Sequence, residues 1–256
     1  MTQARRGAGP MCAGVAPPSV AGMSNQVALI TGASRGLGRA LAAGLAREGY
    51  ALIIDGRNAA ALEAAAAAIW DAGGTVTAVP GDVTDPAHRA ALLRAAEQAG
   101  RLDLLVNNAG TLGASPLPAL ADYPVDELRA AFEVNVIAPI ALTQLLLPML
   151  RRRGGAVLNI TSDAADQAYA GWGGYGAAKA ALEQASNVLA AEELAIRVWW
   201  ADPGDLRTDM HQQAFPGEDI SDRPEPASVV PAFARLIGER LPSGRYRAAH
   251  LLTAAR

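Results

Sequence analysis

The segment Thr31-Gly32-Ala33-Ser34-Arg35-Gly36-Leu37-Gly38 constrains this chain more than any other, because it joins a short β-branched run to a stretch of helix length. In that position glycines let the backbone turn tightly and bring the first N–H groups of a helix against a phosphate. The spacing, Gly32 to Gly36 to Gly38, is wider than the usual G-x-G-x-x-G, and an ordinary turn uses the same residues. The lysine of a P-loop is missing, which argues against phosphoryl transfer.

From residue 27 onward β-branched runs alternate with alanine- and leucine-rich stretches, the pattern of repeated βαβ units and hence of an α/β fold with a parallel sheet. About seven strands are expected, at 27–31, 51–55, 75–79, 103–107, 156–161, 195–200 and 246–252. Helices are expected at 37–48, 59–71, 86–99, 173–192 and 227–240. Residues 125–153 read as a long helical region that Pro139 and Pro148 bend or divide. Residues 209–226 read as a polar loop with prolines, and a structureless stretch that long points to binding. The expected organisation is a leader over 1–22 and a single domain over 23–256. Arg5 and Arg6 precede apolar residues, but Pro10, Pro17 and Pro18 interrupt the apolar core a signal peptide needs, which favours a flexible tail or a start at Met23.

Charge and composition narrow the function. The chain holds 22 Lys and Arg against 25 Asp and Glu, a net charge of -3, so it lacks the basic footprint of a nucleic-acid binder. One cysteine, Cys12, excludes an intrachain disulfide and fits a reducing cytoplasm. No apolar run approaches a membrane span, the longest being broken by Pro139, Thr143, Gln144 and Pro148. His88, His211 and His250 are scattered, so no metal site is expected.

Tyr175 and Lys179 are four apart and share a face if the segment is helical. A nearby cation favours phenolate and lowers a tyrosine pKa that is ordinarily about 10. Asn107-Asn108-Ala109-Gly110 ends the fourth expected strand, at the edge where open α/β sheets bind ligands, although an Asn-Gly turn reads the same.

TGxxxGxG at 31–38, NNAG at 107–110, Asn135, Ser162 and YxxxK at 175–179 occur in order, and together they resemble the short-chain dehydrogenase/reductase family over roughly residues 26–208. The resemblance implies one doubly wound, three-layer Rossmann-fold domain, a nicotinamide dinucleotide and reversible reduction of a carbonyl on a small molecule. It implies that Tyr175 is the general acid or base, that Ser162 polarises the carbonyl oxygen, and that Lys179 tunes Tyr175 and binds the nicotinamide ribose. Asn135 either holds a water for proton passage or bonds backbone groups at a helix kink.

The family pattern also assigns the cofactor to Gly32, Ser34, Arg35, Gly36, Leu37, Gly38, Asn108, Ala109, Gly110, Tyr175 and Lys179, to Pro203, Gly204 and Thr208 of a PG-x-x-x-T element, and to Asp82 and Val83 near adenine. Asp82 reads equally as a turn residue. Alignment puts Gly56, not an acid, at the position that discriminates the ribose, with Arg57 next to it and Arg35 near, so NADP(H) is expected over NAD(H). Asp55 stands one residue early and is expected to face the other way.

Asp163, Trp172, Asp205 and His211, with Gln167 and Tyr169, fall on the expected substrate side, where lid packing or solvent exposure are the other readings. Trp199-Trp200 and the short link after Glu192-Glu193 depart from the family pattern. The C-terminal end has no glycine-rich finish and no basic patch lies near Glu192, which weighs against 3-oxoacyl-acyl-carrier-protein reduction. A binding-only or regulatory dinucleotide protein is the alternative outside enzymes. The resemblance implies a homotetramer or homodimer, and the apolar stripe Leu142, Leu145, Leu146 and Met149 suits either an interface or burial within the subunit.

Overall fold

The structure, a computed structural model, describes residues 26–253, so the leader over 1–22 and Cys12 lie outside the described residues. Seven parallel strands form one sheet in the order β3-β2-β1-β4-β5-β6-β7. They are β1 Val27–Ile30, β2 Ala51–Gly56, β3 Thr75–Pro80, β4 Leu104–Asn107, β5 Ala156–Ile160, β6 Arg197–Asp202 and β7 Gly244–Arg247. The helices are α1 Gly36–Arg47, α2 Ala59–Asp71, α3 Pro86–Gln98, α4 Val125–Phe132, α5 Ala138–Arg153, α6 Gly173–Glu192, α7 Asp209–Ala214, α8 Val230–Gly238 and α9 Ala248–Thr253. The chain steps outward from β1 to β3, crosses back to β4 beside β1, and then steps outward the other way. That reversal opens a crevice at the carboxyl ends of β1 and β4, as in other doubly wound folds.

Strand alternation builds the two cores. Ala28 and Ile30, Leu52 and Ile54, Val106 and Leu158 point to the side covered by α1, α2 and α8. Val27 and Leu29, Ile53, Leu105 and Val157 point to the side covered by α3 and α5. Burial on both faces makes these strands continuous apolar runs, which is why they were legible. Asn58 and Asp85 start α2 and α3 by accepting from the N–H groups of Ala61 at 3.0 Å and Ala87 at 2.8 Å. Trp199 is fully buried on the α8 side and its indole N–H donates to the Leu241 carbonyl at 2.9 Å, so its bulk belongs to the core.

Three expectations need correction. Residues 125–153 divide at a π turn over Glu133–Ile137, whereas Pro148 lies within an unbroken α5. Pro139 offers no N–H to the carbonyl four residues back, that of Asn135, and the chain widens there. Within 209–226, residues 209–214 form α7, whose cap is Thr208 accepting from the His211 N–H at 3.2 Å. The last strand stops at Arg247, and α9 follows because a helix buries Ala248 and Leu251 on one face.

The stretch 125–153 is long and apolar enough to cross a membrane by length and composition, contrary to the reading above. Its apolar face, however, is packed on the sheet. Leu142, Leu146 and Met149 are buried in the core beside α3, while Leu145 stays partly exposed. Three of the four stripe residues are thus used within the subunit.

Candidate active site

A cleft of about 1120 Å³ runs along the carboxyl ends of the strands. It is lined by Gly32, Ser34, Arg35, Gly36, Leu37, Arg57, Asp82, Val83, Asn108, Ala109, Gly110, Pro203, Gly204 and Thr208, and by Ser162, Tyr175 and Lys179. Asp163, Trp172, Asp205 and His211 line its other end. Gly38 and Asn135 stand behind the lining, and Gln167 and Tyr169 outside it. Arg39, on the first turn of α1 and four residues after Arg35, also lines the cleft, and that spacing is the sequence signal for it.

The loop at Gly32 is fixed from three directions. Its φ is +66°, and a Cβ there would lie 2.9 Å from Ala109 Cα. The Thr31 hydroxyl oxygen accepts from the N–H groups of Asn108 and Ala109 at 3.0 Å each, and the Asn108 amide donates to the Thr31 carbonyl at 2.8 Å. The Gly32 N–H donates to Asp55 Oδ1 at 2.6 Å, and Asp55 Oδ2 meets His88 Nε2 at 3.1 Å. Asp55 is buried beneath the loop, so its carboxylate is turned to Gly32 and His88. His88 was unforeseen because it is 33 residues from Asp55.

This end fits a dinucleotide. Arg35, the residue before α1, makes no side-chain cap and no acid occupies the first turn, which leaves the first N–H groups of the helix to an anion. Gly56, the last residue of β2, lines the cleft without a side chain, and Arg57 lines it next in sequence. Arg35 itself is ion-paired to Asp209 at 2.7 Å, both side chains being exposed, so it does not stand open beside Arg57 as expected. Asp82 accepts from the N–H and hydroxyl of Thr84 at 2.9 and 2.8 Å, the geometry of the turn reading, while also lining the cleft. Burial raises its pKa, but the Thr84 bonds and the Arg57 and His88 charges outweigh this and hold it below the ordinary value.

At the other end, α6 carries Tyr175 and Lys179 on its buried face, while Ser162 follows β5. The Lys179 ammonium donates to the Ile160 carbonyl at 2.8 Å and stands 5.5 Å from the Tyr175 ring centroid. Burial pushes Lys179 down to about 8, opposed by the Glu183 charge. Burial pushes the Tyr175 phenol up, with the Asp202 and Asp163 charges acting the same way and the nearby Ser162 hydroxyl opposing them. Burial, rather than the neighbouring cation, therefore dominates the phenol, contrary to the expectation that Lys179 sets its pKa. The Ser162 hydroxyl donates to Asp163 Oδ1 at 3.1 Å and accepts from the Ala164 N–H at 3.2 Å.

Asn135 is fully buried, and its side chain bonds backbone groups, as in the kink reading. The amide donates to the carbonyls of Thr111 at 2.8 Å and Ala131 at 2.9 Å, and Oδ1 accepts from the Thr111 N–H at 3.1 Å. It locks the π turn to the segment after β4. Glu183 and Arg245 were not foreseen. Glu183 accepts from the Thr161 hydroxyl at 2.8 Å and from the Arg245 Nε at 2.9 Å, and Arg245 also donates to the Ser162 carbonyl at 3.3 Å.

Comparison with known proteins gives the chain its relatives. Residues 26–219 match the family described as short chain dehydrogenase. The chain is 33% identical over 228 residues to the uncharacterized oxidoreductase YciK of Escherichia coli K12, covering 85% of this chain and 88% of YciK. It is 39% identical over 181 residues to the rhamnolipids biosynthesis 3-oxoacyl-[acyl-carrier-protein] reductase of Pseudomonas aeruginosa, covering 66% and 68%. A short chain dehydrogenase from Shigella flexneri, solved in complex with NADP, superposes with a TM-score of 0.83 at 32% identity, covering 89% of this chain and 98% of that one. With its parallel sheet, glycine-rich first turn and Ser-Tyr-Lys cleft, the chain belongs to the short-chain dehydrogenase/reductase family of NAD(P)-dependent oxidoreductases.

Proposed function

We propose that this protein interconverts a carbonyl and a secondary alcohol on a small organic molecule, using NADP(H), with Tyr175 as general acid or base. The observation that carries the reading is the convergence of Ser162, Tyr175 and Lys179 at the open end of the cleft whose other end fits a dinucleotide. When bound, the nicotinamide supplies or accepts the hydride. The protein's own residues handle the proton. The Tyr175 phenol, like any tyrosine with an ordinary value of about 10, is protonated near neutral pH, so in reduction it donates its proton to the carbonyl oxygen, and in oxidation the phenolate takes the proton back. The Lys179 ammonium stabilises charge that develops on Tyr175, and Ser162 holds the substrate oxygen beside the phenol. Arg57 beside Gly56 supports NADP(H) over NAD(H), since a guanidinium suits a 2′-phosphate and no carboxylate is presented to a 2′-hydroxyl.

Tyr175→Phe tests the mechanism. It is expected to lower kcat for any reduced carbonyl about 100-fold or more, with NADPH affinity changed little, because acid catalysis alone is worth about 10²–10⁴-fold. An unchanged kcat would refute the role of the phenol. A second reading, reduction of a 3-oxoacyl thioester, is favoured by the identity to the Pseudomonas reductase. Turnover of a 3-oxoacyl thioester faster than of simple ketones, measured side by side with NADPH, would select it.

A further inference from the structure

We infer that the carbonyl compound accepted by this cleft carries a ring-sized apolar substituent with no negative charge on it; this rests on the oxidoreductase reading above. The wall beside Tyr175 comes from three separate segments. Leu112 follows β4, Trp172 precedes α6, and Met210 and Phe215 belong to α7 and its end; together with Tyr175 they form one apolar cluster. The Trp172 ring meets Tyr175 edge-on with centroids 5.7 Å apart and lies 6.1 Å from Phe215. Trp172 is only partly buried and lines the cleft, so an indole next to the proton donor is presented to the substrate. Flat apolar groups stack well on such a wall.

Charge selects further. The carboxylates Asp163, Asp202 and Asp205 line this end of the cleft. Asp163 is held by two hydroxyls, those of Ser162 at 3.1 Å and Tyr169 at 2.8 Å. The guanidiniums near by each have another carboxylate closer: Arg245 has Glu183 at 2.9 Å, Arg247 has Asp166 at 3.4 Å and Arg223 has Asp222 at 2.6 Å. Arg247 reaches Asp202, and Arg223 reaches Asp205, only at 3.9 Å. The Lys179 ammonium stands 5.5 Å from the Tyr175 ring centroid, whereas the wall carries Asp163, Asp202 and Asp205, so an anionic substituent brought against those carboxylates is repelled as well as desolvated.

The test compares para-methylacetophenone with para-acetylbenzoate, which differ chiefly in charge, in NADPH-dependent reduction at pH 7. The neutral ketone is expected to have a kcat/KM at least about tenfold higher, the factor that one pKa-unit equivalent of interaction gives, and Asp205→Lys is expected to narrow the gap. Trp172→Ala should lower kcat/KM for the aryl ketone several-fold more than for butanone. Equal use of both aryl ketones, or preference for the anion, would overturn the inference and leave the oxidoreductase reading standing. Binding of the unreactive para-methylbenzamide and para-carbamoylbenzoate to the NADP⁺ complex, followed by quenching of indole fluorescence that Trp172→Phe removes, separates the two. If no carbonyl is reduced with either nucleotide but the neutral amide binds about tenfold tighter, the activity reading fails and the pocket inference holds; equal binding of the amides sinks it.

Discussion

Tyr175 and Lys179 are one helical turn apart, and burial moves them in opposite directions, because in each it disfavours the charged form. The phenol rises and stays protonated, whereas the ammonium falls from 10.5 to about 8. That fall carries a stability cost. Between about pH 8 and 10.5 the unfolded chain binds the lysine proton more tightly than the folded one, so stability rises with pH across this window, and below it the full penalty stands. A shift of this size amounts to about 3 kcal/mol. Lys179→Met removes the penalty but leaves the Ile160 carbonyl without its donor, which costs about 1 kcal/mol. The free protein is thus expected to gain about 2 kcal/mol at pH 7 while losing activity, and the gain should vanish above about pH 10.5. Urea titrations of both proteins at pH 7 and pH 11 check it; a Met variant less stable at pH 7 would mean that the lysine is not desolvated. Ser162, Tyr175 and Lys179 were legible because their chemistry is local. Asp55–His88 was not, since a buried pair joining a strand end to α3 leaves no short-range pattern.

The face of α6 extends the pair by one more turn to Glu183, at i, i+4 and i+8. Glu183 is tied to Thr161 just past β5 and to Arg245 on β7, so one carboxylate connects α6 to two strand ends. Its charge raises the Lys179 pKa against burial. Glu183→Gln keeps the shape and an acceptor but removes that charge, so Lys179 should lose its proton at lower pH. If Lys179 sets the alkaline limb of kcat/KM in the reductive direction, that limb is expected to shift toward acid. A purely structural role for Glu183 would lower kcat and leave the limb in place, and pH profiles of both proteins distinguish these outcomes. The sequence disclosed the strands and long helices through their periods. It concealed α9, whose apolar residues are too few to show one, and the π turn, whose cause is the missing N–H of Pro139 acting on the residue four positions earlier.

Across the whole molecule the cleft is electrically polar although the net charge is only -3. The switch in strand order puts the end of β2 and the start of α1 on one side, bringing Arg35, Arg39 and Arg57 together, and the ends of β5 and β6 on the other, bringing Asp163, Asp202 and Asp205 together. Such an arrangement draws the phosphate-rich end of a dinucleotide to one side and leaves the other for a substrate without negative charge. Arg57→Ala is expected to weaken NADPH binding about tenfold or more and NADH binding little, and added salt should weaken NADPH more than NADH. A preference for NADH that survives the substitution would refute the NADP(H) reading. Arg35 was legible as a cation near the phosphates, but its partner Asp209 lies 174 residues away and appears only once α7 folds over the glycine-rich turn. That exposed pair competes with the nucleotide for the same guanidinium. Asp209→Asn frees Arg35, and because an exposed ion pair is worth about 0.2–1 kcal/mol, NADPH should bind about 1.5- to 5-fold tighter. Calorimetric titration of both proteins measures it, and weaker binding by the variant would show that Asp209 positions Arg35 for the phosphate instead of withholding it.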